Sequence, residues 1–308
     1  MDDLRREARV DAEVAGYADV SHLHGRMLPG SRDCSVNGSI AAVTPGAKLG
    51  TIPAMPRIGQ TVPSSNITME TEIPAMLNAH GALHGLRYTF HSSRMRMHKV
   101  TREELTAMNK EGLRCIAELV DAQVDVASTA CLVAHMAMGP GYHRTAQSEL
   151  EAEARRMGAK AKVMTSSGAL IEGLQKLGAK KIALMAPYSD VLTQAVVRYI
   201  EAEGIEVKSF LNFRIENNIA VGERDPLQLL DDVERLDTSG VDAVVLSVCV
   251  QMPSLAAIHE AQKRLGIPVT STAACTVRGM LDRLGLKPEV PGAGALLGDR
   301  VGLAATAK

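Results

Sequence analysis

From residue 57 onward, short apolar runs alternate with longer stretches of helical period. The runs at 58–62, 88–92, 124–130, 162–165, 182–186, 206–210, 241–248 and 268–272 are rich in Val, Ile and Thr. Most of them close on a polar, Gly- or Pro-containing loop, so they read as strands. Between them, apolar residues recur at helical spacing from 68, over 101–121, 132–138, 146–157 and 167–177, up to 203, and over 226–236, 254–265 and 275–284. Thr101 with Glu104 three residues later has the form of a capping box, and Glu70 and Glu72 stand where carboxylates suit a helix start. Strand–helix alternation of this kind predicts parallel βαβ units.

The order also repeats. RIGQTVPSSN (57–66) is answered by KIALMAPYSD (181–190): a basic residue, Ile, an apolar run, Pro, then a polar loop before a helix. VDVASTAC (124–131) is answered by VDAVVLSVC (241–249), each placing a cysteine at the carboxyl end of a strand-like run and ahead of a helical pattern. The expected fold is α/β: two pseudo-symmetric Rossmann-like domains with parallel sheets and an active site in the cleft between them, outside the strand carboxyl ends. The boundaries read as an extension at 1–56, a first α/β domain at 57–165 with 285–308 packing back on it, and a second at 166–284.

The extension has a different texture. Residues 2–16 suit a short amphipathic helix, and the rest is rich in Gly, Pro and Ser without a sustained period. His22, His24, Arg26 and Cys34 have no metal-ligand spacing and read as a solvated segment, so removing 1–50 is expected to spare activity.

Composition narrows the class. The 308 residues suit two ordinary domains, and 46% hydrophobic with 22% charged residues is normal for a globular protein. A net charge of −1 supplies no global field for nucleic acid or an anionic membrane, and 3% aromatic residues without Trp argue against a base-stacking surface. The N-terminus lacks the apolar core of a signal peptide, and no apolar run approaches the roughly 18 residues of a membrane span. Five cysteines without framework spacing point to reduced thiols in the cytoplasm, and no Cys/His spacing marks zinc. No nucleotide fingerprint or pyridoxal signal is present, so no cofactor is expected.

The candidate chemistry therefore rests on Cys131 and Cys249. Each precedes a helical pattern, whose free amides and dipole are expected to lower a thiol pKa. A single such cysteine reads as a small buried residue; two at matching strand ends read as a pair facing one cleft. Cys115 lies on an apolar helix face and Cys275 opens a helix without a counterpart in the repeat, so both read as packing. Asn66, Tyr188 and Asn218 lie in strand-end loops that converge on the same cleft, where amide and phenol donors hold carboxylates; alone, each reads as a turn or cap residue. Arg94, Arg96 and His98 read as a solvated basic face and His135 as packing.

RIGQTVPSSNITMETEIPAML (57–77), STACLVAHMAMGPGYHR (128–144) and LSVCVQMPSLAAI (246–258), with FHSSRMRM and VPGAGALL, closely resemble the maleate cis-trans isomerases of the aspartate/glutamate racemase superfamily. The resemblance covers 57–297 and departs at Ser128-Thr129, where a Gly-Tyr type pair is expected. It implies cofactor-independent isomerisation of maleate to fumarate through a succinyl-cysteine on Cys131, with Cys249 as the facing thiol and Asn66, Tyr188 and Asn218 binding carboxylates. It also implies a homodimer or higher homo-oligomer and a place in nicotinate degradation. Cys249 either donates a proton to the carbanion or balances charge. An amino-acid or hydantoin racemase also uses two cysteines, an arylmalonate decarboxylase relies on the counterpart of Cys249 alone, and a two-domain binding protein needs no paired thiols.

Overall fold

The structure, a computed structural model, describes residues 55–303. The extension read at 1–56, with its helix at 2–16 and with His22, His24, Arg26 and Cys34, lies outside the described residues except for positions 55 and 56. Within the described part, β1 (Arg57–Pro63), α1 (Met69–His84), β2 (Thr89–Met95), α2 (Arg102–Asp121), β3 (Val126–Thr129), α3 (Leu132–Met136), α4 (Tyr142–Arg156) and β4 (Lys162–Thr165) form a first series. After α5 (Ser166–Lys176) comes a second: β5 (Lys181–Ala186), α6 (Asp190–Glu201), β6 (Glu206–Asn212), α7 (Asn218–Gly222), α8 (Leu229–Asp232), β7 (Ala243–Ser247), α9 (Leu255–Leu265), β8 (Val269–Ser271) and α10 (Thr272–Leu284).

The two series make two four-stranded sheets with the same order, β2-β1-β3-β4 and β6-β5-β7-β8, and every pairing is parallel. The repeat seen in the sequence is thus a repeat of topology. Parallel pairing requires a crossover between neighbours, which the helices supply. Helices on both faces leave the central strands dry: all residues of β3 and β7 are buried, and all but the leading basic residue of β1 and β5. Edge strands β2 and β6 alternate toward solvent.

The halves are joined by α5 and α10, which pack on each other, while α10 also reaches α1 and β3 of the first series. A Cβ on Gly173 of α5 would lie 2.6 Å from the Cys275 sulfur of α10, so the contact needs a glycine. Cys275 does not open its helix: α10 starts at Thr272, capped by the Ser271 hydroxyl accepting from Ala274 N, and Cys275 is buried one turn in. The segment beyond α10 touches both series. Lys287 O is 2.8 Å from His80 Nε2 of α1, and Gln262 Nε2 of α9 donates to Asp299 O and Val301 O.

Four local readings change. The capping box on α2 is half made: Thr101 Oγ1 accepts from Glu104 N, but the Glu104 carboxylate turns back to accept from His98 N and Lys99 N. The stretch 226–236 is not one helix, since 3-10 turns at Pro226–Gln228 and Val233–Arg235 flank α8, the first closed by Asp225 Oδ1 accepting from Leu227 N. The helix α3 stops at Met136, and α4 begins at Tyr142, inside the predicted loop. Asn218 is not in a loop but is the first residue of α7, whose N-cap is Asn217.

Candidate active site

β3 ends at Thr129, and Cys131 follows as the N-cap of α3. Its extended backbone sets the sulfur over the first turn, facing the N–H groups of Val133 and Ala134. β7 ends at Ser247. There Ser247 Oγ donates to Cys249 O at 2.7 Å and accepts from Cys249 N, a tight turn that holds the cysteine. Five residues without helical structure then separate Cys249 from α9, so it does not sit at a helix start as its neighbour in the repeat does. Its sulfur accepts instead from Gln251 N at 3.4 Å and lies close to the Tyr188 hydroxyl, whose proton goes to Val248 O.

Both cysteines are buried, Cys131 at 7% and Cys249 at 6% exposure. Burial decides their protonation. It pushes the Cys131 thiol up to about 12, with the nearby Cys249 adding to the rise and the amides of Ala134 and Val133 pulling only weakly the other way. Cys249 is raised too, by burial, against the help of Tyr188 and the amides of Gln251 and Met252. The expectation of lowered thiol pKa values is therefore overturned. A five-residue helix offers little dipole, and desolvation of the charged form outweighs a few amides. Both are thiols at neutral pH.

Tyr188, 4% exposed, lies beside the Cys249 sulfur; its hydroxyl donates to Val248 O at 3.2 Å, and burial, with the charge of Cys249 and Cys131 when ionised, holds its pKa well above the phenol range. Asn66 follows β1 and caps α1: its Oδ1 accepts from Thr68 N and Met69 N, both at 2.9 Å. That fixes the carboxamide and leaves the NH2 group as its outward donor. Asn218 Nδ2 donates to Ser65 Oγ at 2.8 Å, which brings it beside the Asn66 loop from the other series.

Three further residues shape the site, and local sequence patterns did not disclose them. Gln251 bridges the Asn66 loop and the start of α7, accepting from Ile67 N and donating to Ser65 O and Asn218 O. Glu72 is not a first-turn dipole residue in the ordinary sense. Its buried carboxylate accepts from Ser254 N and Leu255 N, both at 2.6 Å, and so caps α9 from α1; burial raises its pKa. Arg94 is more than a solvated cation, since it donates to Asn66 O at 2.6 Å and pairs with Glu70. Their partners lie far away in sequence, which is why only the fold reveals them. Lys99, in the segment after β2, forms an antiparallel bridge with Asn217, the N-cap of α7.

His135 is buried with Nδ1 2.9 Å from Ser167 Oγ, and burial lowers its pKa to about 4, so it is a neutral packing residue. A cavity of about 310 Å³ lined by Thr129, His135 and Tyr142 includes neither Cys131 nor Cys249. Among the described residues no group of His, Cys, Asp or Glu is arranged to hold a metal ion.

The family profile described as arylmalonate decarboxylase matches residues 96–297. A maleate isomerase of Geobacillus stearothermophilus is 53% identical over 242 residues, 78% of this chain and 96% of that protein. The crystal structure of a Pseudomonas putida S16 maleate isomerase variant with maleate superposes with a TM-score of 0.79 at 48% identity, covering 80% of this chain and 98% of that one. A Nocardia farcinica maleate cis-trans isomerase mutant with a covalently bound succinylcysteine intermediate superposes at 0.77 and 44% identity, over 79% of this chain and 98% of that one.

Proposed function

The chain belongs to the maleate isomerases, within the wider arylmalonate decarboxylase family, and on that premise we propose that it converts maleate to fumarate without a cofactor, by covalent catalysis on Cys131. The observation that carries this reading is the pair of buried thiols at matching strand ends, in a chain 44% identical to a relative that holds a succinylcysteine. Maleate cannot rotate about its double bond. Addition of a sulfur makes that bond single, and elimination after rotation gives the trans isomer, which replaces one hard step by two easier ones.

The protonation states direct the steps. Both cysteines start as thiols, because burial and mutual repulsion disfavour thiolates beside a dianionic substrate. The Cys131 sulfur bonds to one alkene carbon while its proton passes to the Cys249 sulfur. Cys249 in turn delivers its own proton to the other alkene carbon. The product is a succinyl thioether with both thiol protons accounted for. The new single bond rotates. Cys249 then receives a proton from the same carbon, the C–S bond breaks, fumarate leaves, and Cys131 regains its proton. The Tyr188 hydroxyl steadies Cys249 whenever it carries negative charge. As the sulfur adds to one alkene carbon, charge develops on the other and on the carboxylate attached to it. The fixed amides of Asn66 and Asn218, the latter exchanging Ser65 Oγ for substrate, stabilise that charge.

This chemistry takes place between the two series of elements. It requires reduced thiols; the four described cysteines are free, which favours a cytoplasmic setting. The family resemblance supports a homo-oligomer. The family resemblance alone supports a role in nicotinate degradation. Proton NMR of maleate mixed with the purified protein and no added cofactor tests the reading: fumarate signals should grow as maleate signals fall, and an unchanged spectrum rejects it.

A further inference from the structure

We infer that Gln251 is a positioning residue that holds the Asn66 loop, the start of α7 and the Cys249 turn in one register; this rests on the isomerase reading above. Its carboxamide uses its acceptor and both of its donors on three backbone groups. Oε1 accepts from Ile67 N at 2.8 Å, while Nε2 donates to Ser65 O at 3.1 Å and to Asn218 O at 2.6 Å. Ser65 and Ile67 flank Asn66, so two of the three bonds fix the loop that presents Asn66, and the third fixes the residue that presents the other carboxamide. Its backbone N–H donates to the Cys249 sulfur, which ties the side chain's position to the thiol. One residue thus meets the elements after β1, β6 and β7.

The amide cannot simply turn away. Gly222, the last residue of α7, packs so closely that a Cβ there would lie 2.7 Å from Gln251 Nε2 and 2.5 Å from Ile67 Cγ1. Gln251 itself is 2% exposed, so its three bonds form away from competing water. The donor–acceptor pattern fits a carboxamide and excludes a carboxylate. An ionised glutamate at 251 would keep the acceptor for Ile67 N but set its second oxygen against two carbonyl oxygens. A protonated one would recover a donor. A pH signature follows that a merely structural residue would not give.

The test compares wild type, Gln251→Leu and Gln251→Glu in kcat and KM for maleate from pH 5.5 to 8.5. Thermal unfolding and the rate of Cys249 alkylation by iodoacetamide are measured alongside. Losing the bridge should lower kcat/KM of Gln251→Leu by about 10- to 100-fold at every pH, from the typical cost of unmade buried hydrogen bonds. Gln251→Glu should match that loss at pH 8.5 and recover about tenfold relative to wild type by pH 5.5, as its acid protonates. Cys249 should alkylate faster in Gln251→Leu than in wild type. Wild-type kinetics in Gln251→Leu overturn the proposal, as does a Gln251→Glu to wild-type ratio that does not change with pH. If Gln251→Leu fails to fold, the acid recovery of Gln251→Glu decides. If wild type leaves maleate unchanged, the isomerase reading fails by itself, and the alkylation rates still report whether Gln251 positions Cys249.

Discussion

In the first sheet, Gln60 and Thr61 of β1 sit beside Ser128 and Thr129 of β3, and the side-chain polar atoms of all four are buried without a protein partner. In the second sheet, β5 carries Leu184 and Met185 at the matching places, and β7 beside it reads Ala-Val-Val-Leu-Ser with every residue buried. The topology is one and the same, yet the strands behind Cys131 are polar where those of the second sheet are apolar. Buried polar groups without protein partners carry a cost that apolar side chains do not. The cysteines differ in a parallel way. Cys131 stands at the mouth of a short helix facing its first amides, whereas Cys249 lies in a turn closed by Ser247 and has the Tyr188 hydroxyl as a neighbour. The repeat places two cysteines at equivalent positions, and in the mechanism proposed above their different surroundings suit Cys131 to bond with carbon and Cys249 to handle protons.

The largest expected effect breaks this division of labour at its centre. Cys131→Ala should lower kcat by about 10⁴-fold or more, as loss of a covalent nucleophile does, while Cys249→Ser, which keeps a weak proton donor, should retain a measurable trace. Equal residual rates in the two variants would show that the halves are interchangeable.

Next come the carboxamides, one from each half. A charge-assisted hydrogen bond is typically worth about 1.5–3 kcal/mol, so Asn66→Ala or Asn218→Ala should each lower kcat/KM roughly 10- to 150-fold. Steady-state kinetics on maleate measure this, and wild-type values in both variants would remove them from the site.

A third test uses pH. Burial raises the Cys131 thiol from 9.0 to about 12 in the folded protein. Below pH 9 the thiol is protonated whether folded or unfolded, and stability is unaffected by it. Above that, the unfolded chain ionises first, so stability falls as pH rises toward the folded value. The urea midpoint of wild type should therefore drop more steeply between pH 8.5 and 10.5 than that of Cys131→Ala. Parallel slopes would mean that the thiol is not held protonated by the fold.

The smallest effect sharpens the contrast between the sheets. Gln60→Leu, which copies Leu184, should stabilise the protein by about 1–2 kcal/mol by removing an unpaired buried amide. A lower midpoint in urea would show that Gln60 has a partner that matters.

Much of this architecture was legible in the sequence because it is local. The apolar runs and the matched Val-Asp starts placed β1 to β8 in order, and the resemblance named the five candidate residues. What escaped was non-local. Glu72 looked like an ordinary first-turn carboxylate because its partners, Ser254 and Leu255, lie in the other half. Gln251 has no local pattern to mark it, since its partners lie after β1 and β6. The thiol pKa values were misjudged in direction because helix position can be read from a sequence whereas depth of burial cannot. Asn217 before Asn218 is a cap signal that was present and overlooked.

The central claim is that the two equivalent cysteines have unequal roles, with carbon bonded to Cys131 alone. Incubating Cys249→Ser with maleate, quenching in acid and analysing the peptides by mass spectrometry tests it most directly. The account predicts an adduct heavier by one maleic acid on the peptide that contains Cys131, formed in wild type as well at lower occupancy. An adduct found in wild type only on the Cys249 peptide, with none on Cys131 in either protein, would contradict it.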